Sequence, residues 1–528
     1  MRKLNSIPFI FGVTGHRDLR DEDIPKLKES VRSLFMQYKS NYPHTQIIVI
    51  SALAEGADML VARVAMELDV TLHVLLPYQE EQYLDSFDDA TNAKAFQELK
   101  AYASRVEVNS CVDTYGHETC YQQLGERIAD ISNVLIALWD GTDNGKTGGT
   151  AAIVNYQRSG FEANRFDALD GNALFLITTP RESNPDVKTD FKVQTECLGK
   201  YVKGKEFEKM LGKIDTLNAE MQLDELVDDS LLKTHMVYFE NTATKNQTRF
   251  KRLSKAILIL TGLAFASLEI MHALHLDHFT IGYGVGLLLA FGLYWKFMKN
   301  GKVQDDFVYS RGFAEALRVQ NAWNSAELNK SVARHYLKEQ HHKFTWLKTT
   351  LKNLFYLDKD KVPFTPTYEK DSSVNAWVNG QIDYFKDAAH LRHVKYERLE
   401  SIEKWFYRLG LGVLVLMFTI YTLESLHIVE HSAFWFNWHY LVLVSGLLLL
   451  VAAFIGEKYI KIEGYEDDIY HFNAMLSDFE EAKGALEATA KDSEAYKQIV
   501  SDLGLKALEE NSKWVVLHDS MRAKPSLD

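Results

Sequence analysis

The sequence predicts an α/β Rossmann-like N-terminal domain, a parallel sheet with helices on both faces. An all-α membrane domain follows, with four transmembrane helices arranged as two duplicated hairpins. Three observations carry this prediction: short apolar runs alternate with amphipathic stretches over residues 1–200, four later windows are apolar over a span length, and the sequences flanking those windows nearly repeat.

The strand candidates of the first region are PFIFGV (8–13), QIIVIS (46–51), TLHVLL (71–76), RVEVN (105–109), NVLIALW (133–139) and ALFLIT (173–178). They are β-branched, apolar and short, as strands buried on both faces are. Between them, residues 21–40, 56–68, 91–103 and 117–130 carry helical periodicity. Alternating strand and helix predicts a parallel sheet, whose ligands bind beyond the carboxyl ends of the strands.

Three strand ends carry loop chemistry of one kind. FGVTGHRDLR brings Gly12, Thr14, Gly15, His16 and Arg17 to the end of the first strand. SALAEGADMLVA places Ser51 at the end of the second, with Glu55, Gly56 and Asp58 opening a helix. LWDGTDNGKTGGT (138–150) supplies Asp140, Gly141, Lys146, Gly148, Gly149 and Thr150. Glycines admit backbone N–H groups to phosphate oxygens, and a helix N-terminus adds partial positive charge. Arg17 and Lys146 would neutralise phosphate, and Asp140 or Glu55 would accept from ribose hydroxyls. The third loop is not an ATPase P-loop. Walker A needs four residues between its first glycine and Gly-Lys-Thr, and here Gly141 and Gly145 enclose only TDN. A plain turn is the other reading of that stretch.

The apolar windows are Ala256–Leu274, Phe279–Phe297, Trp405–Leu423 and Tyr440–Ile455. Each approaches the roughly 20 residues needed to cross ~30 Å of hydrocarbon. Arg249, Lys251, Arg252 and Lys255 precede the first, and Lys296, Lys299 and Lys302 follow the second. Lys395, Arg398 and Lys404 precede the third, and Lys458 and Lys461 follow the fourth, whereas the connections 275–278 and 424–439 hold neither Lys nor Arg. The positive-inside rule then puts both chain termini in the cytoplasm. Glu269, His272 and Glu424 lie near the span ends, either lining an ion path or snorkelling to water. Glycines 282, 284, 286 and 292 make the second span a candidate for close helix packing.

The hairpins read as copies of one unit. YFENTATKNQTRFKRL (238–253) aligns with YFKDAAHLRHVKYERL (384–399), and DDFVYSRGFAEALRVQ (305–320) with DDIYHFNAMLSDFEEA (467–482). The expected organisation is a nucleotide-binding domain (1–200), a helical linker (201–250), the first hairpin (251–302), a cytoplasmic helical segment (303–403), the second hairpin (404–461) and C-terminal cytoplasmic helices (462–528).

Composition narrows the function. A net charge of −13 argues against a general nucleic-acid binder. The three cysteines, Cys111, Cys120 and Cys197, have no metal-ligand spacing and predict neither a disulfide framework nor a metal site.

The motifs G-x-T-G-H-R, S-x-L-A-x-G-A-D and L-I-A-x-W-D-G with a following G-G-T resemble the SLOG superfamily over roughly residues 5–200. The resemblance implies a Rossmannoid fold that binds nucleotides or nucleotide-derived ligands, in enzymes that remove a base or in sensors. The enzyme branch carries a glutamate soon after its Gly-Gly-x-Gly-Thr loop. Here Gly149-Thr150 runs into AAIVNY, leaving Glu55, Glu118 and Glu126 as the only substitutes and His16 and His117 as lone imidazoles. No catalytic residue is therefore assigned. The transmembrane half is loosely similar to SLATT-type two-helix regions. Together these resemblances imply a membrane effector of bacterial anti-phage signalling in the inner membrane. It would be a homo-oligomer that senses a cyclic ADP-ribose variant or cyclic oligonucleotide made by a TIR or cyclic-nucleotide synthase partner, with no cofactor of its own. The alternatives are a membrane-tethered nucleotide N-glycosidase or phosphoribohydrolase of the LOG type, and a nucleotide-regulated transporter.

Overall fold

The computed structural model describes residues 6–87, 89–109, 116–159, 172–198, 204–221, 230–274, 278–298, 301–337, 344–358, 367–426, 428, 433–491 and 493–520. The strands are β1 (Phe9–Gly15), β2 (Ile47–Ser51), β3 (Thr71–Leu76), β4 (Arg105–Val108), β5 (Val134–Trp139), β6 (Asn172–Thr178) and β7 (Val193–Leu198). The first helices are α1 (Ile24–Asn41), α2 (Ala57–Glu67), α3 (Glu80–Leu84), α4 (Ala90–Tyr102), α5 (His117–Ile131), α6 (Thr150–Arg158) and α7 (Gly204–Glu220). Then come α8 (Leu231–Leu274), α9 (Phe279–Leu293), α10 (Lys302–Ser325) and α11 (Thr345–Asp358). The last are α12 (Thr367–Ser425), α13 (Ala433–Glu463), α14 (Tyr465–Glu487) and α15 (Glu494–Ser520). The chain forms two compact units: Met1–Met236 with Ala316–Gln320 and Lys330–Phe364, and Val237–Glu315 with Asn321–Asn329 and Thr365–Asp528.

The first unit holds one sheet in the order β4-β3-β2-β1-β5-β6-β7. Every neighbouring pair is parallel except β6 and β7. Side chains alternate across a strand, so β1 reveals both layers. Ile10 joins a cluster with Leu124 and Ile128 of α5, Ile153 of α6 and Tyr356 of α11. Its neighbour Phe11 faces the other way, edge-on to Phe35 and Tyr38 of α1 at 5.8 and 5.2 Å. The sheet is therefore covered on both faces. RVEV differs from the buried strand expected. As β4 it is an edge, and Val106 and Val108 remain 40% exposed. β7 was not foreseen, because VQTECL is too polar to read as a core strand.

Two further helices belong to this unit although the sequence assigns them elsewhere. α7, read as linker, buries Phe207, Met210, Leu211 and Ile214. Its Asn218 closes a reciprocal amide bond with Ile7 and reaches Thr45. α11, from the supposed cytoplasmic segment, returns to the sheet. Asn353 Nδ2 donates to Pro8 O at 2.7 Å and to Asn133 Oδ1 at 2.9 Å, and Lys352 Nζ donates to Ser132 O at 2.9 Å. Tyr356 meets His73 Nδ1 at 2.8 Å. Burial, with Arg105 adding to it, depresses the His73 imidazole to about 3. Cys120 is disulfide-bonded and Cys197 is free, one exception to the expectation of no disulfides.

In the second unit, four helices are long and apolar enough to cross a membrane, lying in α8, in α9 with its π-helical extension (Tyr294–Met298), in α12 and in α13. No more than 17% of any of these apolar windows is buried. Such exposed apolar surface is what lipid-facing helices present. Glycines set the contacts between the helices. A Cβ on Gly410 would lie 2.9 Å from Gly446 O, and one on Gly286 3.0 Å from Ala264 Cβ. Gly282 meets Ser267 Oγ, whereas Gly284 and Gly292 face open space, so only half of the second-span glycines serve packing.

The two copies share a build. Gly301 and Gly464, at φ +66° and +65°, precede the first residues of α10 and α14. The Tyr-Phe pair of each copy docks on the helix after its own hairpin. Phe239 stacks on Phe313 at 4.4 Å, and Phe385 packs on Phe472 at 6.0 Å. Glu463 receives Lys251 Nζ at 2.6 Å, and Arg392 pairs with Asp468 at 2.8 Å, an ionic knot beside the apolar windows.

Candidate functional site

β1 lies between β2 and β5, so the chain changes winding direction there. The crevice of a doubly wound sheet opens at that switch, outside the carboxyl ends of these strands. The loops carrying the sequence candidates meet at this end.

His16 leaves β1 with its N–H on Leu138 O at 3.1 Å. Its Nε2 lies 3.0 Å from Asp140 N and 3.1 Å from Asp140 Oδ1, and its Nδ1 faces Arg181 at 3.4 Å. Burial lowers the imidazole pKa, and Arg181 reinforces the shift against the pull of Asp140. Burial pushes the Asp140 carboxyl up, but hydrogen bonds from Asn184 Nδ2 (3.0 Å), Thr142 N–H (2.9 Å) and His16 outweigh it and hold it below its usual range. A neutral imidazole thus sits against a carboxylate at the floor of the switch point.

Over this pair runs the segment after β6, which sequence reasoning missed. Arg181 grips both oxygens of Asp18 at 3.1 and 3.0 Å, a bidentate geometry. Ser183 Oγ donates to Asp18 at 2.8 Å, and Glu182 N–H to Asp18 O at 3.0 Å. Arg20 holds Pro185 O at 2.9 Å. The signal was available. TPRESNP follows a predicted strand, at the end where parallel sheets place their chemistry.

The β2 end is engaged internally. Ser51 is fully buried, and its Oγ accepts the Leu53 N–H at 3.0 Å. Asp58 accepts from Ala52 N–H at 3.2 Å, and burial lifts its carboxyl to about 7 against the backbone N–H bonds of Ala54 and Ala52. Glu55 is buried and accepts from Asn92 Nδ2 at 2.7 Å. Ala57 N–H donates to His16 O. The first turn of α2 therefore offers less to an anion than the sequence suggests, because a carboxyl and a carbonyl already occupy it. Gly56 is obligatory in this turn. Its φ is +75°, and a Cβ would lie 2.3 Å from Arg17 O and 2.5 Å from His16 O.

After β5, Asp143 Oδ1 accepts Gly145 N–H at 2.9 Å and Asn144 Oδ1 accepts Lys146 N–H at 3.2 Å. These turns order the loop and leave Lys146 exposed. Gly141 and Gly145 take positive φ in open space. Gly148, at φ +72°, packs on the first turn of α5, where a Cβ would meet Gln122 N at 2.7 Å. Gly149 caps α6, which begins at Thr150 as expected and has no acid in its first turn. The Gly-Lys-Thr triplet lies ahead of the helix, as rejection of a P-loop requires.

Arg17 stands exposed with its guanidinium 5.4 Å over the Tyr121 ring. Burial works against its charge, but a hydrogen bond to Tyr121 and the nearby Glu55 carboxylate outweigh that and raise its pKa. Two candidates lie off the site proper. Gly12 is inside β1, its Cβ position 2.3 Å from Ser132 Oγ and 2.7 Å from Ile128 Cγ2, so it serves strand–helix packing. Thr14 pairs with Ala137 within the sheet. The structure thus brings Gly15, His16, Arg17, Glu55, Gly56, Asp140 and Gly148 to one end of the sheet. Among the described residues no three His, Cys, Asp or Glu side chains converge as a metal site.

What the arrangement can do is bind: an exposed guanidinium able to meet an anion, a buried imidazole–carboxylate floor, and loops ordered by their own turns. Compared with protein-family models and with curated proteins, the chain matches none.

Proposed function

We propose that the chain is a ligand-gated membrane effector whose sheet unit binds a nucleotide-derived signal and whose spans respond by permeabilising the bilayer. One observation carries the reading: a single polypeptide joins a doubly wound sheet, with the exposed Arg17 at its switch point, to four helices of membrane-spanning length. The SLOG-like strand-end motifs support a nucleotide as the ligand. The basic flanks of the spans support the bacterial inner membrane with both termini in the cytoplasm. The signal would be a cyclic ADP-ribose variant or a cyclic oligonucleotide made by a TIR or cyclic-nucleotide synthase partner. Homo-oligomers would steepen the response. A ligand moves the spans only through unequal affinity for two arrangements, and about 2–3 kcal/mol shifts their populations roughly a hundredfold.

The test uses the full chain in lipid nanodiscs and vesicles, because α7 and α11 lie beyond any fragment ending near residue 200. NAD-derived and cyclic nucleotides are offered, and both bound ligand and dye release are measured. Stoichiometric binding of intact ligand with ligand-dependent leakage is expected, and Arg17→Ala abolishes both at unchanged protein level. Leakage undiminished in Arg17→Ala overturns the assigned crevice. Release of base or ribose phosphate would instead support the hydrolase.

A further inference from the structure

Beside the His16–Asp140 pair lies a cluster of rings that the strand-end network does not use. Tyr78, just after β3, is buried, and its ring stacks on His117 with centroids 4.5 Å apart and planes 27° from parallel. Its hydroxyl shares a 2.7 Å hydrogen bond with that of Tyr121, the ring that carries Arg17. Tyr83 packs edge-on to Tyr78 at 5.9 Å and is fully buried, with no partner for its hydroxyl among the described residues. The glycine-rich loop after β5 reaches the same place, since a Cβ on Gly148 would lie 3.0 Å from Glu118 O and 3.1 Å from the carbonyl carbon of Tyr121.

A purely structural aromatic cluster buries its outer rings and satisfies its hydroxyls. This one ends on an exposed imidazole and an exposed guanidinium. His117 is held flat by the buried Tyr78 behind it, so its outer face is a pre-ordered plane. Flat heteroaromatic rings of every base stack on such planes, with a strength that follows their stacking area. The guanidinium, two ring contacts away, suits phosphate oxygens.

We infer that the Tyr78–His117–Tyr121 wall is a nucleobase subsite: the ligand's base lies on the outer face of His117 while Arg17 holds its phosphate. The inference rests on the nucleotide reading of the crevice and adds to it which residues take the base. Purines, with the larger stacking area, bind more tightly than pyrimidines.

The full chain in nanodiscs is titrated with the four nucleoside 5′-monophosphates and with ribose 5-phosphate, which lacks the base. The wild type is expected to favour AMP and GMP over ribose 5-phosphate by roughly tenfold or more. His117→Ala removes that preference while leaving ribose 5-phosphate binding unchanged, which also shows that the variant is folded. His117→Trp retains or enlarges the preference. An unaltered preference in His117→Ala, or equal binding of AMP and ribose 5-phosphate to the wild type, overturns the subsite and leaves a phosphate-binding crevice standing. Failure of every probe to bind overturns both the subsite and the nucleotide reading.

Discussion

The two units use the same kinds of residue in opposite ways. In the sheet unit Ile10, Phe11 and Leu174 are fully buried, whereas in the helical unit Ile281, Leu288 and Phe418 are 69%, 72% and 74% exposed. The apolar residues of one avoid water by turning inward, and those of the other lie on the outside of helices long and apolar enough to cross a membrane. Glycine divides likewise. In the sheet unit Gly56 and Gly148 provide left-handed turns against a neighbouring backbone. In the membrane helices Gly286 and Gly410 keep helical geometry and let a second helix approach. Long-range polar bonds, such as Asn353 to Asn133 and Pro8, fix the sheet unit. Between the apolar helices, the glycine approaches set the contacts.

Breaking the turn at Gly56 should have the largest effect. Gly56→Val puts a branched side chain at φ +75° between two carbonyls, an expected loss of roughly 3–5 kcal/mol. In detergent the sheet unit of that variant should melt early while the helical signal of the spans persists. Melting as one transition would show that the units share a single stability.

Removing a polar tie comes next. Asn353→Leu removes the partners of Asn133 Nδ2 and the Pro8 carbonyl, while Asn133 Oδ1 keeps the Ile10 N–H, with an expected cost of about 2–3 kcal/mol in chemical unfolding. A cost below about 0.5 kcal/mol would mean that α11 is held by its apolar face alone.

The third effect is pH-dependent and confined to the sheet unit. His73 is depressed to about 3 when folded, so on acidification the unfolded chain takes up its proton first. The His73 contribution is intact above about pH 6.5 and falls below it, by about 2 kcal/mol at pH 5. Asp58, whose carboxyl is lifted to about 7, takes up its proton in the folded state and opposes it. His73→Phe should therefore make the variant gain stability relative to wild type between pH 7 and 5, measured as the difference between their unfolding midpoints. A difference that stays constant would assign the acid sensitivity elsewhere.

The smallest effect lies between the spans. Gly286→Leu collides with Ala264 and the Leu260 carbonyl, 3.0 and 3.3 Å from the added Cβ, with an expected cost of about 1–2 kcal/mol in mixed-micelle unfolding. Gly284→Leu meets nothing within 4 Å and should be neutral. Equal behaviour of the two would remove the helix contact.

Much of the fold was legible. Six strand runs and four helical stretches of the first region are where the alternation puts them, and all four apolar windows fall inside long helices. The helix after Gly148-Gly149-Thr150 also begins where expected. A glycine in a motif looks alike whether it faces a ligand or, as Gly12 does, Ile128. Likewise the loop sequence does not tell that the oxygens of Ser51 and Asp58 stabilise their own turn. The Arg181–Asp18 clasp was missed because its partners lie 163 residues apart.

Periodicity, span length, charge asymmetry and the polarity of the strand-end loops are legible along the chain. These are local properties, set by residues within one or two turns of each other. That α7 and α11 complete the sheet unit, that the segment after β6 straps the switch point, and which span glycines touch a partner emerge with the folded chain. Those outcomes depend on the complementarity of surfaces distant in the chain, and a hydrophobic pattern says that a face must be covered without saying by what.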